Sequence, residues 1–366
     1  MNGSKFLFLL IVLIAFFSCT NSQIQLEETV EPEIIAQRCE QSGCWDSKYH
    51  VCRDQKLINL FTRKTGWTGG DATYSVKLPN GKTLWMFGDT FINQVNNDGT
   101  RSSFRLINNS MVLQNEEEMT AYHTGTITNP GAFAKPPESN WWYWPGDATV
   151  ATDTLFMFMQ GFGNDSGGAW DFYRTSIDLL KMNPETLEIY KNERIFTNPE
   201  ITFGSAILED VDYTYLYGVK AVETDKYLYV ARSNANLNKS WEYFTGVNWS
   251  NDINDAKPIY NNVSEQFSVF KDNETYYLLT QHHIFGAEIT LFHSNSPIGP
   301  WGNGKVIYCT PESAGNIFTY NAFAHPEIHN DSLVISYNVN SFDTNDLLKD
   351  VNNYRPYFIR VGNWRN

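Results

Sequence analysis

Residues 70–89 read GDATYSVKLPNGKTLWMFGD. At the centre, Pro79-Asn80-Gly81 is a turn signal, because Pro presets its own φ while Asn and Gly tolerate left-handed backbone. On either side, Tyr74–Leu78 and Thr83–Phe87 carry aromatic and β-branched residues in the pattern of paired strands. The opening Gly70-Asp71-Ala72-Thr73 returns as Gly146-Asp147-Ala148-Thr149, ahead of a second strand–turn–strand unit, ATVATDTLFMFMQ. Similar units start near Ser205, Ser264 and His325. The five opening positions Asp71, Asp147, Ser205, Ser264 and His325 recur with a period of about 60 residues, the spacing of propeller blades with three or four strands each. The expected architecture is therefore all-β, a five-bladed β-propeller over residues 61–366. A two-sheet sandwich competes, but it does not predict the echo. The last unit is one strand short, and Lys56–Arg63 is the segment expected to supply it. Ser176–Met182 is the one helix-like stretch.

Composition narrows the function. Aromatic residues make up 15% of the chain and hydrophobic residues 42%, which excludes a disordered tail. The formal net charge of −14 argues against nucleic acid or an anionic membrane surface as partner, since nothing would offset phosphate repulsion. No apolar run long enough to span a bilayer follows the N-terminal leader.

That leader, MNGSKFLFLLIVLIAFFSC, places Lys5 before an apolar run and ends in Ser18-Cys19. Residues 1–18 read as a lipoprotein signal peptide with Cys19 as the lipidated mature N-terminus. The expected location is the bacterial cell envelope, exported and held to the membrane only through this lipid. Residues 19–60 form a tether and a Cys-containing segment. Cys39, Cys44 and Cys52 lie close together, and export favours disulfides. One bridge is expected among them, with Cys309 available to staple the segment to the body; four cysteines leave three pairings open.

Corresponding opening positions of propeller blades converge on a central pocket. Residues equidistant from Asn80 lie opposite each other in the first hairpin, which pairs Asp71 with Asp89. Like charges directly opposite destabilise a sheet, so a purely structural sequence avoids them. Two adjacent carboxyls hold a shared proton to higher pH, giving one acid and one anion for work on a glycosidic bond. A separation of roughly 5 Å suits retention of configuration, and a wider Asp71–Asp147 pairing suits inversion. A one-residue slip would turn Asp89 to the other face. The competing reading of each strand-opening Asp is turn capping. Trp67, Trp142 and Trp144 stand beside these acids and offer indole faces to sugar rings; inter-blade core is their alternative. Ser205, Ser264, His282 and His325 are expected to line the same pocket, with Glu265 and Gln266 nearby and Glu209 and Glu327 as reserve acids. No nucleophile elbow, P-loop, HExxH or dinucleotide fingerprint occurs.

The run Trp67-Thr68-Gly69-Gly70-Asp71, followed by Leu84-Trp85-Met86-Phe87-Gly88-Asp89-Thr90-Phe91, resembles a family of exported bacterial propeller domains of unknown function. It is similar to endo-D-arabinanases and, more loosely, to the arabinanase, xylosidase and fructosidase propellers. The blade-five string His325-Pro326-Glu327 fits that wider group. The resemblance covers about residues 60–366. It implies a glycoside hydrolase fold with the working pair at Asp71 and Asp89. In the wider group acids open three successive blades; Asp71 and Asp147 match two, but Ser205 replaces the third. The same resemblance makes His325 the candidate ligand of a metal at the propeller axis, calcium, with no cofactor otherwise required.

Two functions follow as expectations. One is a glycoside hydrolase-like lipoprotein cleaving a polysaccharide or oligosaccharide, arabinofuranoside-containing, with Asp71, Asp89 and Asp147 as catalytic residues; the chain would act as a monomer. The other is a non-catalytic carbohydrate-binding propeller.

Overall fold

The computed structural model describes residues 48–365, apart from 169–170, 224, 235–236, 238–239, 283–284 and 329–330. The leader, Cys19, Cys39, Cys44 and His283 lie outside the described residues.

The chain is all-β, built mainly from successive antiparallel sheets whose strands follow one another in sequence. The first sheet holds Tyr74–Lys77, Thr83–Phe87, Ser110–Asn115 and Glu118–Tyr122. Its opening hairpin turns as read from the sequence. Gly81 N–H donates to the Leu78 carbonyl (2.9 Å), Lys82 N–H to Asn80 Oδ1 (3.1 Å), and Gly81 takes φ +83°. Tyr74 pairs with Met86 and Lys77 with Thr83, all equidistant from Asn80.

The second sheet holds Trp142–Ala151, Thr154–Asn164, Phe172–Met182 and Ile189–Thr197. The segment expected to be helical, Ser176–Met182, is part of its third strand; pairing on both sides along the strand overrides the local pattern. The third sheet runs through Thr202–Glu209, Thr214–Val222, Asp225–Ser233 and Glu242–Phe244, extended by Trp249–Ser250. The fourth has Ser268–Asp272, Thr275–Gln281, Glu288–Ser294 and Gly302–Cys309.

In the fifth sheet, Ile317–Ala324, Leu333–Ser341 and Pro356–Val361 are joined at the edge by Val51–Arg53 from the start of the body. The missing strand is thus Val51–Arg53 and not Lys56–Arg63. Asp54 caps a short helix, Gln55–Leu60, by accepting the Leu57 N–H (3.1 Å), and so removes that segment from any sheet. A three-stranded ribbon (Thr65–Gly70, Thr90–Gln94, Leu106–Ile107) continues the first hairpin beyond Asp71 and Asp89.

The alternating inward residues of neighbouring sheets interlock as separate apolar cores. Tyr74, Met86, Leu155 and Met157 share the core between the first and second sheets. Phe158, Leu179, Phe203 and Trp241 fill the next, and Leu208, Tyr217, Leu228 and Leu278 the one after. Leu279, Ile289, Ile335 and Tyr337 join the fourth sheet to the fifth, and Trp85, Phe87, Val334 and Phe358 join the fifth back to the first. The opening strands carry irregularities in the second, third and fifth sheets, between Pro145 and Ala148, Phe203 and Ala206, and Tyr320 and Phe323. The first sheet has its counterpart at Asp71–Thr73, where Ala72 and Thr73 take positive φ. Such bulges re-aim a side chain, and those of the first three sheets fall at the repeat positions Asp71, Asp147 and Ser205.

Cys52 is disulfide-bonded. Cys309 is a buried thiol on the last strand of the fourth sheet, so it does not staple the N-terminal segment to the body.

Candidate active site

Asp71 and Asp89 face each other where the first sheet meets the three-stranded ribbon. Tyr74 pairs with Met86 on one side and Gly70 with Thr90 on the other, both equidistant from Asn80, so the register survives the bulge between them. The two backbones are tied directly: Asp71 N–H donates to the Asp89 carbonyl (3.2 Å), and Gly88 N–H to the Asp71 carbonyl (3.0 Å).

Each carboxylate has its own donors. Asp71 Oδ2 accepts from the Tyr320 hydroxyl (2.7 Å) and the Tyr354 hydroxyl (2.9 Å). Asp89 Oδ1 accepts from the Trp144 indole N–H (2.8 Å) and from Asn108 Nδ2 (3.3 Å). Burial pushes Asp71 up to about 6 against these donors. Burial, reinforced by the negative charge of Asp71, pushes Asp89 up to about 7. A pair held this way keeps a proton near neutral pH, and the arrangement can supply one acid and one anion.

Asp147 occupies the matching bulge of the second sheet but does other work. Its Oδ1 accepts its neighbour Ala148 N–H (2.8 Å) and its Oδ2 accepts Ile207 N–H (2.8 Å) on the third sheet. This is the capping reading, extended across two sheets. Asp147 borders a cavity of about 270 Å³ on the inner strands, together with Ser75, Lys77, Glu209 and Glu327. Burial raises its carboxyl, and the nearby charges that raise it further are Glu209 and Glu327, not the Asp71–Asp89 pair.

Several expected site residues turn out to be internal. Trp67 is fully buried against Phe61 (5.5 Å between ring centroids) and Phe87 (4.9 Å), in the core that joins the fifth sheet to the first. Ser205 is buried, and its hydroxyl donates to the Thr202 carbonyl (3.1 Å), closing its own bulge. Ser264 is buried, with its N–H on Thr280 Oγ1 (2.8 Å). His282 is exposed just past the strand Thr275–Gln281. His325 does not open the fifth sheet: that strand begins at Ile317, and His325 follows its far end. The imidazole is fully buried, with Nδ1 against Ser75 Oγ (2.5 Å) and Nε2 against Ser336 Oγ (2.8 Å). Burial lowers its pKa to about 3, so it is neutral. Both nitrogens being taken, the residue does not fit the role of axial metal ligand. Among the described residues no group of three or more His, Cys, Asp or Glu side chains is arranged to hold a metal ion.

Trp144 reaches the pair, and Trp142 packs beside it. Both are half-buried, and their rings lie 5.9 Å apart with Phe162 beneath (4.4 Å from Trp144). Residues that sequence reasoning passed over complete the surroundings. Tyr320, Tyr354 and Asn108 come from three distant segments and carry no local signal. Arg174 lies over the Phe162 ring (5.1 Å), donates to Gln160 Oε1 (2.8 Å), and pairs with Glu265, which Lys226 also holds. Burial pushes Glu265 up, but the two cations outweigh it and hold the carboxyl below its ordinary range.

The arrangement is that of an acidic site on an all-β scaffold. The chain belongs to the family described as Domain of unknown function (DUF5005), whose model matches residues 54–364. No curated protein matches the sequence. Among solved structures, a Bacteroides ovatus protein provisionally named a hydrolase is similar at 24% identity, with a TM-score of 0.77 over 89% of this chain and 93% of that one. A Dyadobacter fermentans protein of unknown function is similar at 9% identity, with a TM-score of 0.50 over 82% of this chain and 96% of that one. An exo-1,5-alpha-L-arabinanase from a bovine ruminal metagenomic library overlaps more loosely, at 12% identity and a TM-score of 0.45 over 81% and 95% of the two chains.

Proposed function

We propose that this protein is a glycoside hydrolase-like lipoprotein, built as a closed five-bladed β-propeller, that cleaves an arabinofuranoside-containing glycan with Asp71 and Asp89. The observation that carries the reading is the facing of these two carboxyls, each with its own donors and both raised toward neutrality. Asp89, the more strongly raised, is the acid: its proton passes to the glycosidic oxygen as the C–O bond breaks. Asp71, steadied by two phenol hydroxyls, is the anion that faces the positive charge developing at the anomeric carbon; water forms the new bond to that carbon and its proton goes back to Asp89. In the propeller reading the five sheets are the blades, and Val51–Arg53 at the edge of the last sheet is the strand that closes the ring.

The test is reducing-sugar release from arabinans, fructans and xylans by the protein, Asp71→Asn and Asp89→Asn. Turnover lost in both variants supports the reading. Turnover on no substrate, or turnover untouched by the substitutions, overturns it.

A binding-only propeller is the second reading. It is favoured by the two phenols that already occupy Asp71 Oδ2, as a permanent structural bond would. Calorimetric binding without products, unchanged in Asp89→Asn, would establish it. Export, monomeric action and lipid attachment at Cys19 belong to the same proposal. Fatty-acid labelling lost in Cys19→Ser checks the anchor.

A further inference from the structure

Two aromatic platforms flank the Asp71–Asp89 pair, one on each neighbouring sheet. On the second sheet, Trp144 donates to Asp89 and packs with Trp142, Phe162 and Phe172, whose ring lies 5.0 Å from Trp144. Phe162 is buried, while Trp142, Trp144 and Phe172 are half-buried above it. The Trp142 indole N–H is buried and has no hydrogen-bond partner among the described residues. On the fifth sheet, Tyr320 donates to Asp71 and lies 5.4 Å from Phe318. Phe318 in turn supports Phe285 and Phe342, each 4.4 Å away. These last two rings are exposed, Phe285 to 37% and Phe342 to 57%.

The plan is the same on both sides: a ring bonded to one carboxylate, a buried ring beneath, and open rings leading away. Exposed aromatic rings gathered beside polar groups mark a ligand surface. Sugar rings present C–H faces that suit such platforms. The first sheet packs against both the second and the fifth, so the platforms belong to sheets on either side of the one that carries the pair.

We infer that the ligand is an extended glycan chain lying across Asp71 and Asp89, with sugar rings stacked on both platforms, so that cleavage falls within the chain and not at its end. The two-sided seating stands on the platforms; the cleavage rests on the hydrolase reading above.

The experiment uses linear arabinan, a fructan and a xylan, with long and short oligosaccharides of whichever binds. Binding is measured by calorimetry in the Asp89→Asn protein, alone and with Trp142→Ala or Phe342→Ala added. The expected result is a loss of about threefold to tenfold in affinity for the long oligosaccharide from each substitution, with unchanged thermal unfolding. The wild-type protein is expected to release products of mixed length from the start of digestion. Weakening by one substitution only, or release of terminal units alone, overturns the inference while the hydrolase reading stands. Two-sided weakening without any products upholds the seating and removes the hydrolase reading. Binding to none of the three overturns both.

Discussion

Gly88 and Asp71 share a space that only a hydrogen can fill: a Cβ on residue 88 would stand 2.5 Å from Asp71 Oδ1. The backbone of Gly88 also donates to the Asp71 carbonyl. The glycine therefore sets where one carboxylate of the pair can lie. Gly88→Ala would displace the far end of a side chain and leave the backbone in place. We expect the fold to persist and kcat/KM to fall about 10²-fold, the cost of misplacing a reacting group by around an ångström. Thermal unfolding alongside glycan cleavage separates the two effects.

Trp144 holds Asp89 by one indole N–H, a bond that favours the charged carboxyl. Trp144→Phe keeps the ring stack and removes the donor, so the Asp89 pKa should rise further. The alkaline limb of the pH–rate profile should move to higher pH. An unmoved limb would mean that Asp89 is not the group titrating there.

Both carboxyls are raised in the folded chain, Asp71 to about 6 and Asp89 to about 7, with burial as the first cause in each. The folded state then binds protons that the unfolded chain has released. Stability from this source is present below the ordinary carboxyl range and is lost as pH rises through about 7. Asp89→Asn removes one of the two charges, so its Tm should exceed that of the wild type at pH 8 and match it near pH 4. Parallel Tm curves across that window would contradict the assignment.

Asp147 accepts Ile207 N–H across two sheets. In Asp147→Asn the amide can turn only one oxygen to its two donors, leaving one N–H without a partner. That should cost about 1–3 kcal/mol of stability. Cleavage should fall far less than in Asp89→Asn, where loss of an acid–base group is worth about 10² to 10⁴ in rate. Equal losses in rate would restore Asp147 to the catalytic set.

The first hairpin was legible because every part of its signal is local. Asn80 and Gly81 fix the turn, alternation fixes the faces, and the two together bring Asp71 opposite Asp89 through a bulge that sequence did not announce. The strands around Leu155, Tyr227, Thr275 and Leu333 were readable for the same reason. Misreadings arose where a partner decided. Ser176–Met182 has a helical look alone but lies between two strands of its own sheet. Val51–Arg53 is too short to declare itself and is a strand only because Pro356–Val361 pairs with it.

Among site residues, the echo of Asp71 in Asp147 holds as backbone, while the two carboxylates meet different partners. Matching bulges aim the two carboxylates at different neighbours, phenols in one case and an amide N–H in the other. Trp67 and His325 have the residue types of a pocket, yet both are buried within cores. Type alone does not say which side of a sheet faces its neighbour.

What the chain determined by itself was the all-β character, the hairpin register and the facing of Asp71 with Asp89, since turn chemistry and period-two alternation act over a few residues. Tertiary structure alone decided that Tyr320, Tyr354, Asn108 and Trp144 hold that pair, and that His325 is closed off between two hydroxyls. These contacts join segments tens to hundreds of residues apart. They form because burying the apolar faces between sheets brings the segments together, and no local pattern encodes which polar groups then meet.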